Sequence, residues 1–292
     1  MERIMSNRRV LISYAHPDDE SFGLGGTIAR YIADGADVDL ICATNGERGT
    51  VKPEFLNGYD SIAALRLAEL DCAAEKLQLT HVVKLGYKDS GMMGSETSND
   101  ADCLWQAKQE DVARRVVEVI RDLKPQVVIT FNLYGGYGHP DHIAIQRATT
   151  DAFKLAGDAS YQTGQAPYAP QKLYYTSISA RQIRIGVALT RLRGQDPRHL
   201  GRNHDFDLVA ILEHVEPIHT QIDIRNYYDA WDAASACHAS QIGGGGPRFP
   251  KWTRRWLSPY QNFTRVSPTP KANRVDEHDF FDGVRLEDPV TT

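Results

Sequence analysis

The sequence predicts an α/β protein built on a Rossmann-like, doubly wound and mostly parallel sheet. Short apolar runs alternate with helical patterns through the first 180 residues, which is the order of a βαβ protein. The apolar runs are continuous instead of alternating with polar residues, as expected for strands that helices cover on both faces. We therefore place a Rossmann-like core in residues 1–180. Residues 181–292 are expected to form an irregular C-terminal extension that completes the same domain.

The elements of this core follow one another in a regular order. Five strands are predicted, at residues 10–15, 38–43, 81–85, 127–131 and 173–178. Four helices are predicted between them, at residues 25–33, 61–77, 109–123 and 140–155. Pro125 ends the third helix, because proline disfavours a helical residue before it. For the extension we expect a further strand at 208–212, a helix at 225–241 that ends at four glycines (243–246), and irregular structure from 247 onward.

Composition and charge exclude several classes of protein. The 292 residues include 33 basic and 38 acidic side chains, a formal net charge of −5. This balance argues against binding to nucleic acid or to an anionic membrane, since both require a positive field. No window of 18 apolar residues is present that could span a membrane. The four cysteines include no CxxC pair and are expected to be reduced thiols. These features predict a cytoplasmic protein and are compatible with a homo-oligomer.

Two similar turns follow the first and fourth predicted strands. His16-Pro17-Asp18-Asp19 follows the first strand and His139-Pro140-Asp141-His142 follows the fourth. In the common strand order 3-2-1-4-5, strands 1 and 4 are neighbours, and ligands bind in the crevice at that switch point. We therefore expect the two turns to face each other across one cleft, although more than a hundred residues separate them.

The side chains of these turns are of the types that form a catalytic metal site. Two imidazoles and one carboxylate, with one position left open, are typical ligands of catalytic zinc or of another divalent metal. We predict that His16, Asp19 and His142 bind the metal and that Asp18 is the general base toward water. We further expect His139 to stay protonated and to face the oxyanion, hydrogen-bonded by Asp141.

Both motifs resemble a known family. AHPDDE after the first strand and YGGYGHPDH after the fourth are similar to the LmbE-like, or PIG-L, zinc deacetylases. The resemblance implies the metal ligands and the general base given above. It also implies Tyr137 as a second donor to the oxyanion, and Arg66 and Asp89 as residues that grip sugar hydroxyls. One departure from the family is Thr50, which stands where the mycothiol-pathway deacetylase has a glutamate that contacts substrate.

The function that the resemblance implies is metal-dependent removal of the N-acetyl group from an N-acetylglucosamine-type substrate, a small molecule, with release of acetate. The cofactor is expected to be Zn²⁺, with Fe²⁺ as the alternative. Two other hypotheses stay open at this point: an amidase acting on a larger thiol S-conjugate, and a sugar- or metal-binding protein without turnover. The sequence leaves the aglycone of the substrate open, and Thr50 predicts no strong preference for an inositol aglycone.

Overall fold

A seven-stranded, mostly parallel sheet forms the centre of the protein. The computed structural model describes residues 7–201, 205–242 and 251–286. The strand order in the sheet is β3-β2-β1-β4-β5-β7-β6. The first five strands pair in parallel in the predicted order 3-2-1-4-5. The predicted fold class, a Rossmann-like α/β protein, is therefore confirmed.

The strands and helices have well-defined bounds. The strands are β1 (Arg9–Tyr14), β2 (Asp37–Thr44), β3 (His81–Tyr87), β4 (Val127–Thr130), β5 (Lys172–Ser177), β6 (Thr220–Asp223) and β7 (Tyr260–Ser267). The helices are α1 (Asp19–Ala33), α2 (Ile62–Leu77), α3 (Gln109–Leu123), α4 (Gly135–Gly138), α5 (Pro140–Leu155), α6 (Ala180–Leu192), α7 (Leu208–Glu213), α8 (Tyr228–Cys237) and α9 (Lys251–Leu257). None of the helices among the described residues is both long and apolar enough to cross a membrane.

The middle of the sheet is formed by β1 between β2 and β4. Val10 of β1 pairs with Val38 of β2 on one side and with Val127 of β4 on the other. All three side chains are buried. Neither face of these strands meets water, which explains why their sequences are continuous apolar runs. The parallel register brings the carboxyl ends of β1 and β4 to the same edge of the sheet, and the two His-Pro-Asp turns start there.

The C-terminal extension differs from the prediction in three places. Residues 208–212, predicted as a strand, lie in helix α7, which Asp207 caps by accepting hydrogen bonds from Val209 and Ala210. The region predicted as irregular contains strand β7, which pairs antiparallel with both β5 and β6. The predicted helix at 225–241 is shorter, Tyr228–Cys237, and the glycines expected to end it lie outside the described residues.

A disulfide bond links α2 to the end of α8, contrary to the expectation of four reduced thiols. Cys72 and Cys237 are bonded, with their Cα atoms 5.8 Å apart and a sequence separation of 165. Cys42 and Cys103 are buried free thiols. The pairing has no signal in local spacing, because helix packing alone brings these two cysteines together. The bond fastens the C-terminal extension to the core.

We expect Cys72→Ala to lower the free energy of unfolding by about 2–4 kcal/mol, because the bond restricts the unfolded chain over a long loop. Urea unfolding of the variant and of the wild type, with and without a reductant, measures this effect. The reductant should bring the wild-type midpoint to that of the variant and leave the variant unchanged. Four alkylatable thiols in the non-reduced, denatured wild type would contradict the bond.

Candidate metal centre

The two His-Pro-Asp turns meet at the carboxyl ends of β1 and β4. His16 lies between β1 and α1, and His142 lies in the first turn of α5. Pro140 occupies the first turn of α5, where its fixed φ suits a helix start. The ring of His142 stacks on Phe131 with centroids 3.9 Å apart. Local helix starts and this stacking therefore fix both imidazoles at one edge of the sheet.

His16, Asp19 and His142 converge on a single point. The Nδ1 atom of His16 is 3.1 Å from Nε2 of His142 and 3.5 Å from Oδ2 of Asp19. Nε2 of His142 is 3.3 Å from Oδ1 of Asp19. We call these atoms of the three residues the ligand triangle. Tetrahedral ligands with bonds of about 2.0–2.2 Å are separated by about 3.3–3.6 Å, so these separations fit a single divalent cation.

The hydrogen bonds of the two imidazoles leave lone pairs facing into the triangle. Nε2 of His16 is 3.1 Å from a carboxylate oxygen of Asp141, and Nδ1 of His142 is 3.0 Å from the carbonyl oxygen of Gly135. Each of these outer nitrogens faces an acceptor and therefore carries the hydrogen, which leaves the inner nitrogens as acceptors. With one hydrogen on each outer nitrogen, both neutral rings turn a lone pair toward the Asp19 carboxylate, and this is a donor set that suits a divalent cation.

Gly135 is required for this arrangement. Its φ of +64° favours glycine, and a Cβ there would lie 2.9 Å from Cβ of His142. The close approach of its backbone allows its carbonyl oxygen to orient the His142 ring.

Asp141 orients His16 rather than His139, which corrects the predicted pairing. One carboxylate oxygen contacts Nε2 of His16, and the carboxylate also accepts hydrogen bonds from the backbone and the hydroxyl of Ser90. Its contact with His139 is through its backbone N–H, which donates to Nδ1 at 3.2 Å. A carboxylate behind a ligating histidine fixes the tautomer and the ring orientation of that ligand. Asp141 has this position relative to His16.

His139 differs from the prediction in its protonation state. Burial and the neighbouring imidazoles of His16 and His142 lower the pKa of His139 well below its ordinary value, which is opposite to the predicted imidazolium. Its Nδ1 accepts the Asp141 N–H, so the neutral ring carries its hydrogen on Nε2. A neutral His139 can therefore still donate one hydrogen bond to a developing oxyanion. The nitrogens of His16, His139 and His142 also approach within 4.8 Å of one another, but we favour the triangle, because it includes a carboxylate.

The backbone of Asp18 is strained. Its φ is +135°, a conformation that side chains rarely adopt and that costs on the order of 1–3 kcal/mol. Glu20 holds this conformation, because its Oε2 accepts the N–H of Asp18 at 3.1 Å. His238 in turn contacts Oε1 of Glu20 at 2.7 Å, and both side chains are fully buried. The buried Glu20–His238 pair therefore stabilises the backbone conformation of Asp18, the predicted general base.

His238 is a site residue that sequence reasoning missed. The sequence favours a packed or solvated histidine there, since no partner lies at ligand spacing. Burial lowers the pKa of His238, but the hydrogen bond to Glu20 and the negative charges of Glu20, Asp18 and Glu69 together outweigh it and raise the pKa above its ordinary value. The partner lies 218 residues away in sequence, so only the fold reveals the pair.

Arg66 forms an ion pair with Asp18. Its Nη2 lies 2.8 Å from Oδ2 of Asp18, and it also donates to the carbonyl oxygens of Gly46 and Pro17. Burial raises the pKa of Asp18 to about 6, against the opposing effect of Arg66. A carboxylate that titrates near neutral pH suits a general base. The family role of Arg66 toward sugar hydroxyls stays a prediction, while its contact with Asp18 is direct.

A polar cavity of about 410 Å³ opens beside the ligand triangle. Its wall contains the predicted residues His16, Asp18, Arg66, Asp89, Tyr137 and His139. Asp89 is buried, with Oδ1 accepting the N–H of Gly91 at 2.8 Å. Burial raises the pKa of Tyr137, so its hydroxyl stays a neutral donor. Thr50 and, from the C-terminal extension, Gln241 also line the cavity.

Comparison with known proteins identifies the family. The sequence profile of the PIG-L family, described as GlcNAc-PI de-N-acetylase, matches residues 11–153. The chain is 37% identical over 253 residues to the 1D-myo-inositol 2-acetamido-2-deoxy-alpha-D-glucopyranoside deacetylase of Thermobispora bispora, covering 82% of this chain and 80% of the relative. This chain belongs to the PIG-L family. The resemblance inferred from the two motifs is confirmed.

Solved structures share the fold of this PIG-L protein. N,N'-diacetylchitobiose deacetylase from Pyrococcus horikoshii is 18% identical, with a TM-score of 0.59, and the match covers 89% of this chain and 84% of that one. GalB, the 4-carboxy-2-hydroxymuconate hydratase from Pseudomonas putida KT2440, is 16% identical, with a TM-score of 0.50 and coverage of 91% and 98%. At these identities the likeness shows the fold alone, and function must be argued from the site.

We expect Arg66→Gln to move the acidic limb of the kcat/KM profile to higher pH. A cation beside a carboxylate favours the ionised form, so its removal raises the pKa of Asp18. The predicted general base would act on every substrate, so activity near pH 6–7 should fall about tenfold or more on a sugar amide and on a small acetamide alike. The pH profile of kcat/KM for both substrates measures the shift.

Arg48→Gln is the matched control, because Arg48 lines the same cavity and pairs with Asp100 at 2.6 Å. Its acidic limb should stay at the wild-type position. If Arg66→Gln impairs the sugar amide but leaves the small acetamide and the acidic limb unchanged, Arg66 acts on substrate and not on Asp18.

Proposed function

We propose that the protein is a metal-dependent hydrolase that removes the N-acetyl group from an N-acetylglucosamine-type substrate. The observation that carries this proposal is the ligand triangle, which lies beside a polar cavity with Asp18 in its wall. The membership of the PIG-L family and the printed activity of its relatives support the same reaction. Release of acetate and a free amino sugar follows from cleavage of the amide.

His16, Asp19 and His142 are the proposed metal ligands. Two imidazoles and a carboxylate suit Zn²⁺ and also Fe²⁺, and the three side chains of the triangle are close enough to share one cation. A divalent cation held there would polarise the amide carbonyl and acidify a water molecule. We propose Zn²⁺ as the native ion, with Fe²⁺ as the alternative.

The side chains around the triangle have distinct roles in the proposed reaction. Asp18 accepts a proton from the attacking water at its carboxylate and passes it to the leaving amine. Arg66 keeps that carboxylate ionised at neutral pH. The Nε2–H of His139 and the hydroxyl of Tyr137 donate to the oxygen on which negative charge develops. Asp89 lies in the wall of the polar cavity and is the proposed acceptor for sugar hydroxyls.

Two further features of the prediction stay proposals. We propose that residues 181–292 belong to the same domain as the core, which is supported by the pairing of β7 with β5 and by the place of Gln241 in the polar cavity. A cytoplasmic location also stays a prediction. The Cys72–Cys237 bond argues against this location, since disulfide bonds persist in oxidising compartments more often than in the cytosol.

The neighbouring carboxylates Asp18 and Asp19 allow a matched test of the metal site. Asp18→Asn should keep the metal and lose kcat by on the order of 10²–10⁴-fold, because the amide cannot accept a proton. Asp19→Asn should lose the metal itself, because one ligand of the triangle is weakened. Elemental analysis after dialysis, together with kcat on an N-acetylated amino sugar, separates the two effects. Metal loss in Asp18→Asn, or full activity of protein shown to be metal-free, would contradict the assignment.

The substrate is tested with N-acetylglucosamine glycosides that differ only in aglycone and with a thiol S-conjugate that carries a larger amide. Mass spectrometry should detect acetate and the free amino sugar from the glycosides, with kcat/KM well above that for the S-conjugate. Because Thr50 stands in the cavity wall, kcat/KM for the inositol glycoside should stay within about tenfold of the others. A preference for the S-conjugate would favour the amidase hypothesis. Binding of sugar without release of acetate by metal-loaded protein would favour a binding protein.

A further inference from the structure

A second, larger cavity adjoins the ligand triangle. Its volume is about 620 Å³, and its wall contains Asp19 and His142 of the triangle. It shares Asp18, Tyr137 and Phe206 with the polar cavity. The two cavities therefore meet at the ligand triangle and the proposed general base. We call this second space the apolar cavity.

The wall of the apolar cavity is mainly aliphatic and aromatic. It is formed by side chains that include Leu24, Phe131, Ile183, Ile211, Ile224 and Trp231. Three apolar side chains stand at its exposed rim: Phe22 is 41% exposed, Ile178 49% and Tyr260 37%. The cavity thus runs from the metal ligands to the surface between apolar walls. Nothing in the removal of a single acetyl group requires a space of this kind.

Two glycines of α1 fix one wall of this cavity. A Cβ on Gly25 would lie 2.5 Å from the ring of Trp231, and a Cβ on Gly26 would lie 3.1 Å from Ile224. The absence of side chains at these positions lets Trp231 and Ile224 pack directly on the helix. The wall is therefore built from close contacts rather than from side chains free to collapse inward.

The scissile amide has two sides, and the site has two cavities. The carbonyl must lie at the ligand triangle, and the sugar amine suits the polar cavity with its Asp89 and Arg66 side chains. The acyl side then points away from the sugar, toward the apolar cavity on the other side of Asp18. A pocket of about 300–1,000 Å³ holds a whole small ligand, and an acetyl methyl group fills only a small part of it.

We propose that the apolar cavity binds the acyl side of the amide, and that the enzyme removes straight-chain aliphatic N-acyl groups longer than acetyl. This inference rests on the proposed amide hydrolysis and extends its substrate class from N-acetyl to N-acyl amino sugars. The reaction is the same: water adds to the carbonyl, the C–N bond breaks, and the products are a fatty carboxylate and the free amine.

The experiment compares methyl glycosides of glucosamine that carry N-acetyl, N-butyryl, N-hexanoyl and N-octanoyl groups. Burial of each methylene contributes about 0.8 kcal/mol, which corresponds to about a fourfold effect. We expect kcat/KM to rise by two- to fourfold per methylene up to hexanoyl. The octyl glycoside of N-acetylglucosamine is the matched control, because it carries the chain on the opposite side of the amide. It should react like the methyl glycoside.

Gly23 allows the cavity to be narrowed without disturbing the reacting groups. It lies at the exposed end of the apolar cavity beside Phe22, and a Cβ there would meet no heavy atom within 4 Å. Gly23→Leu should leave kcat/KM for the N-acetyl substrate within twofold of wild type and lower that for N-octanoyl at least tenfold. Gly23→Ala, which adds one methyl group, should cause a much smaller loss.

Titration calorimetry with acetate, hexanoate and octanoate on the metal-loaded protein tests the cavity independently of turnover. Octanoate should bind more tightly than acetate, and Gly23→Leu should remove the difference. If N-acetyl substrate is hydrolysed while kcat/KM falls tenfold or more for each longer acyl group, the inference is wrong and the proposed function stands. A gain on the octyl glycoside instead would place an apolar aglycone in the cavity and also overturn the inference. If no amide is hydrolysed, the proposed function fails, and equal binding of acetate and octanoate would then overturn the inference as well.

Discussion

The parallel pairing of β1 with β4 is the constraint on which the site depends. Val10–Ile12 lie beside Val127–Ile129, so both strands end at the same edge of the sheet and both His-Pro-Asp turns start from it. His16 and Asp19 come from one turn and His142 from the other, and neither turn alone contains the whole ligand triangle. A change in the register of these two strands would therefore move the imidazoles of His16 and His142 relative to each other.

Much of the fold and of the site could be predicted because both follow from local pattern and strand order. The helices at Gln109–Leu123 and Pro140–Leu155 have the predicted bounds, since each has a clear stop or start signal at a proline. The strand order then brings the two turns together. The convergence of His16 with His142 could therefore be predicted from the strand order and the residue types, without knowledge of side-chain conformations.

The remaining parts depend on contacts that no local pattern contains. The run from Leu208 to Glu213 is apolar enough for a strand, but the cap at Asp207 starts a helix, and that cap was the missed signal. Strand β7 mixes polar and apolar residues and is a strand because β5 and β6 pair with both of its edges. The pairing of Asp141 with His16 instead of His139 likewise depends on how the two imidazole rings are oriented. The spacing of residues in the sequence does not determine that orientation.

The strained backbone of Asp18 has a consequence for any effort to engineer this protein. A φ of +135° suits glycine, so replacement of Asp18 by glycine would relieve the backbone strain. The same replacement would leave the buried guanidinium of Arg66 without its carboxylate partner. These two effects on the free energy of unfolding oppose each other, so heat resistance does not report whether the proposed proton acceptor is still present. Descendants of this chain selected for thermostability should therefore be screened for turnover at every round.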